Sequence, residues 1–549
     1  MELTVYTARS IVTMNRSWPR AEAVAVGDGR IVEVGTIESM EPWLDRHPHQ
    51  IDDRFADHVL LPGFIDPHLH PTMAAVLLPM EFVTAMEWKL PWGRVEPVTT
   101  PDGFVDRLRA LDASRTAAGD NDRPLFVWGY HQLWHGAMSR ELLDAVSLER
   151  PICVWHRSFH ELYLSTAFLD HLELIEARVG GRPGIDWRAG HFYEAGLGYA
   201  IAKLNPLLLA PDRYAEGLTR LAEVAHHGGH TTLGDLAVGL FDFETEWEAT
   251  SSVLGGSDVP FRVELVPSGL GLQRGGRSHA DIAEFIAGLP ERNTDKLRFG
   301  HHVKLFADGA FFSQLAQVGP PGYIDGHHGE WLMAPEQLLE AARVYWNAGM
   351  VIHLHVTGDL GLELGLDVLA ALQRERPRFE HGFTFEHVGF STPEQIDRIK
   401  ALGANVSANV HYLHELGHMY AREGIGFERA SQMARLGSCF RAGITTTVHS
   451  DFTMAPAEPL NSVWVAVNRV DHGGRVLGQE ERLTVEQALA AITINAARVL
   501  GRADELGSIR AGKRADFTVL GEDPLAVDPM ALKDIDIVAT VFDGVANPL

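Results

Sequence analysis

Eight short apolar runs, separated by stretches with helical periodicity, place the strongest constraint on the fold of this chain. The runs lie at residues 63–70, 231–238, 261–267, 302–306, 350–356, 383–387, 404–410 and 444–449. Helical patterns such as 335–347 and 392–402 lie between them. An alternation of strands and helices with this number of strands predicts an α/β chain with a parallel (β/α)8 TIM barrel.

Both ends of the chain differ from the barrel region in sequence pattern, because short strand-like runs are separated there by turns. These runs are residues 3–6, 21–26, 31–34, 515–520 and 537–542. We expect the two ends, 1–61 and 500–549, to form one small β-sandwich domain that brings the termini together. The barrel is then expected over residues 62–499.

The segment after the first barrel strand is much longer than one helix requires. We expect an inserted subdomain at about 75–215 that walls or caps the mouth of the barrel. Trp88, Trp92 and Trp134 lie in this segment. They are candidates for lining an apolar substrate pocket, and packing in the core of the subdomain is the alternative.

Composition narrows the functional classes. The 549 residues include 47 Lys and Arg and 73 Asp and Glu, for a net charge of −26. Such an acidic chain argues against nucleic acid or an anionic membrane as a partner. The two cysteines, Cys153 and Cys439, exclude a disulfide framework and fit a reducing compartment. With no signal-like start and no apolar run long enough to span a membrane, we expect a cytoplasmic protein. A homodimer is a working hypothesis.

The first barrel strand ends in two histidines, His68 and His70. Because side chains alternate along a strand, these two share a face and can point into one cavity. Two imidazoles at a strand end can chelate a transition metal, and a hydrogen-bonded pair inside the barrel is the alternative.

Other strands also end in polar side chains, at the edge where such barrels have their active sites. These are Lys304, His355, His387 and Asp451. A buried ammonium is costly, so Lys304 is expected either in a salt bridge or as a carbamate formed with carbon dioxide. With the carbamate, these side chains and the two histidines would hold two metals and activate a shared water. Asp451 is placed to take the proton of that water and pass it to the leaving group.

Three histidines have alternative assignments. His353 lies two residues before His355, so spacing alone cannot choose between them. His449 precedes Asp451 and is a candidate to support the ligands from behind. His160, in the inserted segment, is a candidate substrate contact or a structural histidine.

These pieces together resemble the metal-dependent amidohydrolase superfamily, and within it the YtcJ-like branch that includes N-substituted formamide deformylases. The resemblance covers almost the whole chain. Its matching pieces are 21–35, 62–70, 140–144, His160, 303–309, 355–359, 386–387 and 507–516. One departure is that His355 is followed by Val356 and Thr357, where the branch usually has Ala and Ile. The Gly-Asp pair at 358–359 still favours His355 over His353.

The resemblance implies the barrel, the β domain and hydrolysis of a carbon–nitrogen bond other than a peptide bond, in an amide, formamide or cyclic amide. It implies metal roles for His68, His70, Lys304, His355, His387 and Asp451, with Asp451 also the catalytic general acid and base. Expected cofactors are one or two divalent metals per chain, zinc first, and carbon dioxide as the carbamate of Lys304; manganese, iron and cobalt remain alternatives. The expected partner is a small-molecule substrate. The alternative functions are a non-catalytic binding or regulatory protein, or an esterase or phosphoesterase using the same site.

Overall fold

The computed structural model describes residues 2–549 and shows an α/β fold. Strands from both ends of the chain hydrogen-bond in one eight-stranded sheet. Its strands are Leu3–Val12, Arg20–Gly27, Arg30–Gly35, His49–Asp52, Val59–Pro62, Phe517–Leu520, Ile537–Phe542 and Val545–Pro548. Val59–Pro62 joins the two ends because it pairs with Leu3–Val12 on one side and with Phe517–Leu520 on the other. The sandwich form of this unit and its bounds stay predictions.

Nine parallel strands form the centre of the molecule in two sheets, of four and five strands. The first contains Phe64–Leu69, His230–Val238, Arg262–Pro267 and Leu297–Phe299, and the second contains His302–Phe306, Val351–Val356, Thr384–His387, Asn405–Asn409 and Thr446–His449. Each of the eight apolar runs matches one of these strands to within two residues at each end. Leu297–Phe299 is an additional strand that pairs with Arg262–Pro267.

The two parallel sheets meet at two seams. At one seam, a parallel bridge pairs Ser268 with Lys304. At the other, the backbone N–H of Asp451 donates to the carbonyl oxygen of His68 at 3.0 Å. Asp66 reinforces this second seam by accepting hydrogen bonds from the N–H and the hydroxyl of Ser450. The fold is TIM-barrel-like, and both sheets end at the same cavity.

Helices connect and cover the parallel strands. From the second strand onwards they are Phe243–Leu254, Gly269–Arg274, His279–Gly288, Pro335–Asn347, Asp359–Glu375, Pro393–Leu402, Gly417–Met419, Phe427–Ala430, Leu436–Arg441, Pro459–Asn468, Val485–Ala491 and Ile494–Val499, with 3-10 or π turns at Leu289–Arg292, Tyr412–Leu416, Tyr420–Gly424, Gln479–Glu481 and Pro529–Asp534. Pro393–Leu402 shows why such a helix has fixed ends. Thr392 and Gln395 form a capping box at its start, and Gly403 ends it with a φ of 72°. No helix in the part of the chain described is both long and apolar enough to cross a membrane.

The long segment after Phe64–Leu69 contributes a separate six-stranded sheet. Its strands are Glu81–Phe82, Leu125–Tyr130, Ile152–His156, Glu161–Leu164, Ile185–Asp186 and His191–Tyr193, and a hairpin pairs Trp88–Leu90 with Gly93–Val95. The helices up to the second parallel strand are Ile37–Leu44, Pro71–Leu77, Pro101–Ala117, Gln132–His135, Arg140–Asp144, Thr166–His171, Glu176–Val179, Ala195–Leu208 and Pro211–His227. This segment supplies one wall of the cavity through Ser158, His160 and Glu194.

Candidate metal centre

His68 and His70 lie together at the end of the first parallel strand, as the alternation of side chains requires. Their Nε2 atoms are 3.2 Å apart. Glu386, fully buried, places Oε2 at 2.6 Å from Nδ1 of His68. Because a carboxylate only accepts, Nδ1 of His68 carries the proton and Nε2 presents a lone pair to the cavity. Carboxylates hold metal-binding histidines in this manner.

Asp451 closes the cluster from the last parallel strand. Its Oδ1 lies 3.0 Å from Nε2 of His70 and 3.5 Å from Nε2 of His68. Its Oδ2 lies 3.5 Å from Nδ1 of His387. Both Asp451 and His387 have left-handed backbones, with φ values of 55° and 71°. Residues other than glycine rarely adopt this conformation, and in proteins it concentrates at functional sites.

Lys304 reaches the same cluster, with Nζ at 3.3 Å from Nε2 of His68. It is 1% exposed. Burial lowers its pKa to about 8, although Glu386 and Asp451 act in the opposite direction. No carboxylate of residues 2–549 lies within 4.0 Å of Nζ, so the salt bridge that the sequence left open is not formed.

The structure distinguishes His355 from His353. Both nitrogens of His353 are engaged, Nδ1 with Glu386 at 2.6 Å and Nε2 with Nδ1 of His302 at 2.9 Å. In contrast, Nε2 of His355 is buried without a partner among the described residues. The ring of His355 lies 4.5 Å from the ring of His387, centre to centre. His355 therefore faces the cavity, and His353 is hydrogen-bonded beneath it.

His449 lies within the cluster and does not only support the ligands from behind. Its Nε2 is 3.2 Å from Nδ1 of His387, and its Nδ1 is 2.7 Å from the hydroxyl of Ser407. Two trios bring candidate donor atoms within 4.8 Å of one another, one of His68, His387 and His449 and one of His68, His70 and Asp451. His68 belongs to both.

The protonation of these groups follows from burial. Removal from water, together with the nearby Lys304, lowers the pKa of His68 and of His355 well below its usual value. Burial, then His355 and Lys304, do the same for His387. Burial alone would raise the pKa of Asp451, but the hydrogen bond from His70 outweighs it and the pKa is lowered. His68, His355 and His387 are therefore neutral at neutral pH, beside an ionised Asp451.

This donor set fits a divalent metal. Nε2 of His355 and Nε2 of His387 are buried and have no hydrogen-bond partner among residues 2–549. Unpaired buried polar atoms are costly, and several lone pairs that converge repel each other unless a cation lies between them. Imidazole nitrogens with a carboxylate oxygen suit zinc and other first-row divalent ions.

A second polar pair lines the cavity at His160. Its Nδ1 lies 3.0 and 3.1 Å from the two carboxylate oxygens of Glu194, and the N–H of Glu194 donates to the carbonyl oxygen of His160 at 3.0 Å. Burial alone would lower the pKa of His160, but Glu194 outweighs it and the pKa is raised. The ring of His160 lies 5.8 Å from that of His355, centre to centre. His160 therefore lies beside the cluster, as a substrate contact would.

The three tryptophans do not lie in this cavity. Trp88 is 1% exposed and packs against Trp128, with ring centres 5.4 Å apart. Trp92 is 43% exposed and lies under the guanidinium of Arg220. Trp134 packs edge-on against His131, with ring centres 4.7 Å apart. Their rings pack against these neighbours. The apolar side chains that line the cavity are Met73, Leu197, Ile201, Leu240, Leu270, Phe306 and Leu332.

Sequence reasoning missed Asp235 and Glu194. Asp235 is fully buried, accepts a hydrogen bond from the N–H of Thr72 at 3.0 Å and lies 4.0 Å from Nδ1 of His70. An acidic residue inside the apolar run 231–238 was the available signal. Glu194 gave no local signal, because the turn that carries it reaches the cavity only through the tertiary fold.

This chain is similar to known proteins in sequence and in fold. The sequence matches the Amidohydrolase family over residues 56–546. An N-substituted formamide deformylase from Arthrobacter pascens is 24% identical over 96% of this chain and 94% of its own length. The putative amidohydrolase YtcJ from Bacillus subtilis (strain 168) is 24% identical over 97% of each protein. The crystal structure of an uncharacterized metal-dependent hydrolase from Pyrococcus horikoshii OT3 superposes with a TM-score of 0.73 at 20% sequence identity, covering 96% of this chain and 99% of the other. The resemblance inferred from the sequence is confirmed, and this chain belongs to the amidohydrolase family.

Proposed function

We propose that this protein is a metal-dependent hydrolase that cleaves the carbon–nitrogen bond of an amide, a formamide or a cyclic amide. One observation carries the proposal: unpaired imidazole nitrogens and a carboxylate converge, buried, at the ends of parallel strands beneath a cavity. Membership of the family and the similarity to a formamide deformylase support the choice of bond.

The metal, with zinc the first candidate, would be held by His68, His70, Lys304, His355, His387 and Asp451. When bound, it supplies Lewis-acid chemistry and makes water more acidic. Lys304 would take part as a carbamate, formed when its neutral amine adds carbon dioxide and releases a proton. Its burial without a close ion pair supports this form, since a bare ammonium there has no carboxylate within 4.0 Å.

Asp451 would act as the general base and then as the general acid of the reaction. Its carboxylate takes a proton from the attacking water while the new carbon–oxygen bond forms. It then returns that proton to the leaving nitrogen as the carbon–nitrogen bond breaks. The low pKa of Asp451 keeps it ionised and ready to accept. His160, held by Glu194, would orient the substrate carbonyl by hydrogen bonding from its free nitrogen.

The domain division is part of the proposal. The two parallel sheets would close as one (β/α)8 barrel over residues 62–499, with the insertion at about 75–215. The sheet of residues 1–61 and 500–549 would be a separate β domain. The seams at Ser268 and at Asp451 support closure, because each joins one sheet to the other.

Metal content per chain tests the proposal. Protein purified without added metal would be analysed by mass spectrometry, as would Lys304→Ala and the control Lys296→Ala. Lys296 is a matched control because its ammonium donates to backbone carbonyls far from the cluster. We expect about two metals in the parent and the control, and fewer in Lys304→Ala, since a carbamate bridges two ions. If the parent contains one metal per chain and Lys304→Ala contains the same amount, the carbamate site is wrong and the site is mononuclear.

A screen of amides, formamides and cyclic amides follows with the loaded protein. Release of the free amine is the expected result. Absence of metal even after reconstitution would refute the enzyme function.

A further inference from the structure

Two helices face each other across the outer part of the cavity. Ala195–Leu208 presents Leu197 and Ile201, and Gly269–Arg274 presents Leu270 and Arg274. Within each helix the two residues are four apart, so they lie on one face. The cavity therefore continues from the metal cluster between apolar side chains and reaches an arginine.

The guanidinium of Arg274 lies against the backbone of Gly198. A Cβ atom at Gly198 would be 3.0 Å from both Cζ and Nη1 of Arg274, so this approach depends on the missing side chain. Within residues 2–549, the guanidinium of Arg274 has no hydrogen bond and no carboxylate within 4.0 Å. The carboxylate of Glu194 acts on the charge of Arg274 from beyond 4.0 Å and is hydrogen-bonded to His160 instead.

Arg274 is solvent-exposed and lines the outer part of the cavity without an ionic partner. The nearby Arg277 is different, because its guanidinium stacks on the ring of Phe285 at 3.9 Å. Arg274 keeps five N–H donors free at the far end of an apolar passage, and the guanidinium fork matches a carboxylate.

We infer that the substrate is an amide whose nitrogen carries an apolar chain ending in a carboxylate, and that Arg274 binds this carboxylate. This inference rests on the proposed function, because the amide end is assigned to the metal cluster. The apolar chain would lie between Leu270 on one side and Leu197 and Ile201 on the other. Arg274 is then a specificity residue that acts on binding rather than on the bond being cleaved.

Paired probes test the inference by activity. The metal-loaded protein would be given ω-formamidoalkanoates of increasing chain length and uncharged N-alkylformamides of matched length. We expect kcat/KM for the best anionic probe to exceed that of its neutral match by about tenfold to a hundredfold, as for a charge-assisted hydrogen bond. Arg274→Met should remove this preference through KM for the anionic probe alone. The control Arg277→Met should keep it. Equal rates for both probes, or an equal loss for both in Arg274→Met, would overturn the inference.

A binding measurement separates this inference from the proposed function. Octanoate would be titrated calorimetrically into the metal-loaded parent, Arg274→Met and Arg277→Met. We expect the affinity to fall at least about tenfold in Arg274→Met only. Octanoate affinity that is the same in all three proteins refutes the anion site, whatever the activity. Binding that depends on Arg274, with no formamide or amide hydrolysed, keeps the anion site and refutes the proposed function.

Discussion

Removal of the Glu386 carboxylate should weaken metal binding although Glu386 is not a proposed ligand. Its two oxygens accept from Nδ1 of His68 and Nδ1 of His353, each at 2.6 Å, and the side chain is fully buried. Glu386→Ala leaves both N–H groups without an acceptor, at about 1–3 kcal/mol each. We therefore expect the free energy of unfolding to fall by about 2–6 kcal/mol in the metal-free protein.

The effect on the metal follows from the tautomer of His68. Without Glu386, the proton of His68 is free to move to Nε2, which then has no lone pair for a metal. Loss of such a supporting carboxylate costs about 10–100-fold in metal affinity. Glu386→Gln should fall between the parent and Glu386→Ala, because an amide oxygen can still accept from one of the two histidines.

The assay is the zinc dissociation constant from competition with a chromophoric chelator, with unfolding in denaturant measured on the same samples. Glu246→Gln is the matched control. Glu246 is also fully buried, but it accepts from the backbone N–H groups of Gly239 and Phe241 and contacts no proposed ligand. The control should lose stability and keep its zinc affinity. A folded Glu386→Ala that binds zinc as tightly as the parent would refute the reasoning.

Two further predictions concern ion pairs. Arg157 is buried, pairs with Glu415 and donates to the carbonyl oxygen of Met454, so Arg157→Met should cost about 3–5 kcal/mol by leaving Glu415 unpaired. Denaturant unfolding should show that Arg157→Met with Glu415→Gln recovers part of this loss; an equal loss in both variants would contradict it. Burial alone would raise the pKa of Glu505, but hydrogen bonds and charges from Arg502 and its neighbours outweigh it and lower the pKa to about 2. A lowered carboxyl pKa stabilises the folded protein above about pH 4.5, and this stability is lost towards pH 2. Glu505→Gln should therefore lower the free energy of unfolding by about 1 kcal/mol after screening at neutral pH, and this difference should disappear on acidification. A difference that does not depend on pH would contradict the prediction.

The strands were predictable from sequence because burial on both faces makes parallel strands read as continuous apolar runs. The run 302–306 has the bounds of the observed strand, and the other seven runs lie within two residues of theirs at each end. The His68 and His70 pair was predictable for a similar reason, since two residues on one strand share a face whatever the rest of the fold does. Leu297–Phe299 was missed because three residues are too few to show a period.

The walls of the cavity were not predictable in the same way. Glu194 and Arg274 come from segments far apart in sequence, and only tertiary packing sets their distance from the cluster. The tryptophans show a limit of predicting a cavity from composition. Their composition suggested an apolar pocket, but Trp88 packs against Trp128, and other apolar side chains line the cavity. Composition reports which side chains a segment has, whereas a cavity depends on which of them are left without neighbours.

The residues that break local rules are those gathered at the cluster. His387 and Asp451 adopt left-handed backbones, and Lys304 is buried without a carboxylate partner. Each of these features costs free energy. A sequence under selection for stability alone would tend to lose them, because single substitutions that relieve such costs are easy to reach. Their presence together at the ends of four different strands, His68 included, supports the proposal that this end of the fold binds a metal.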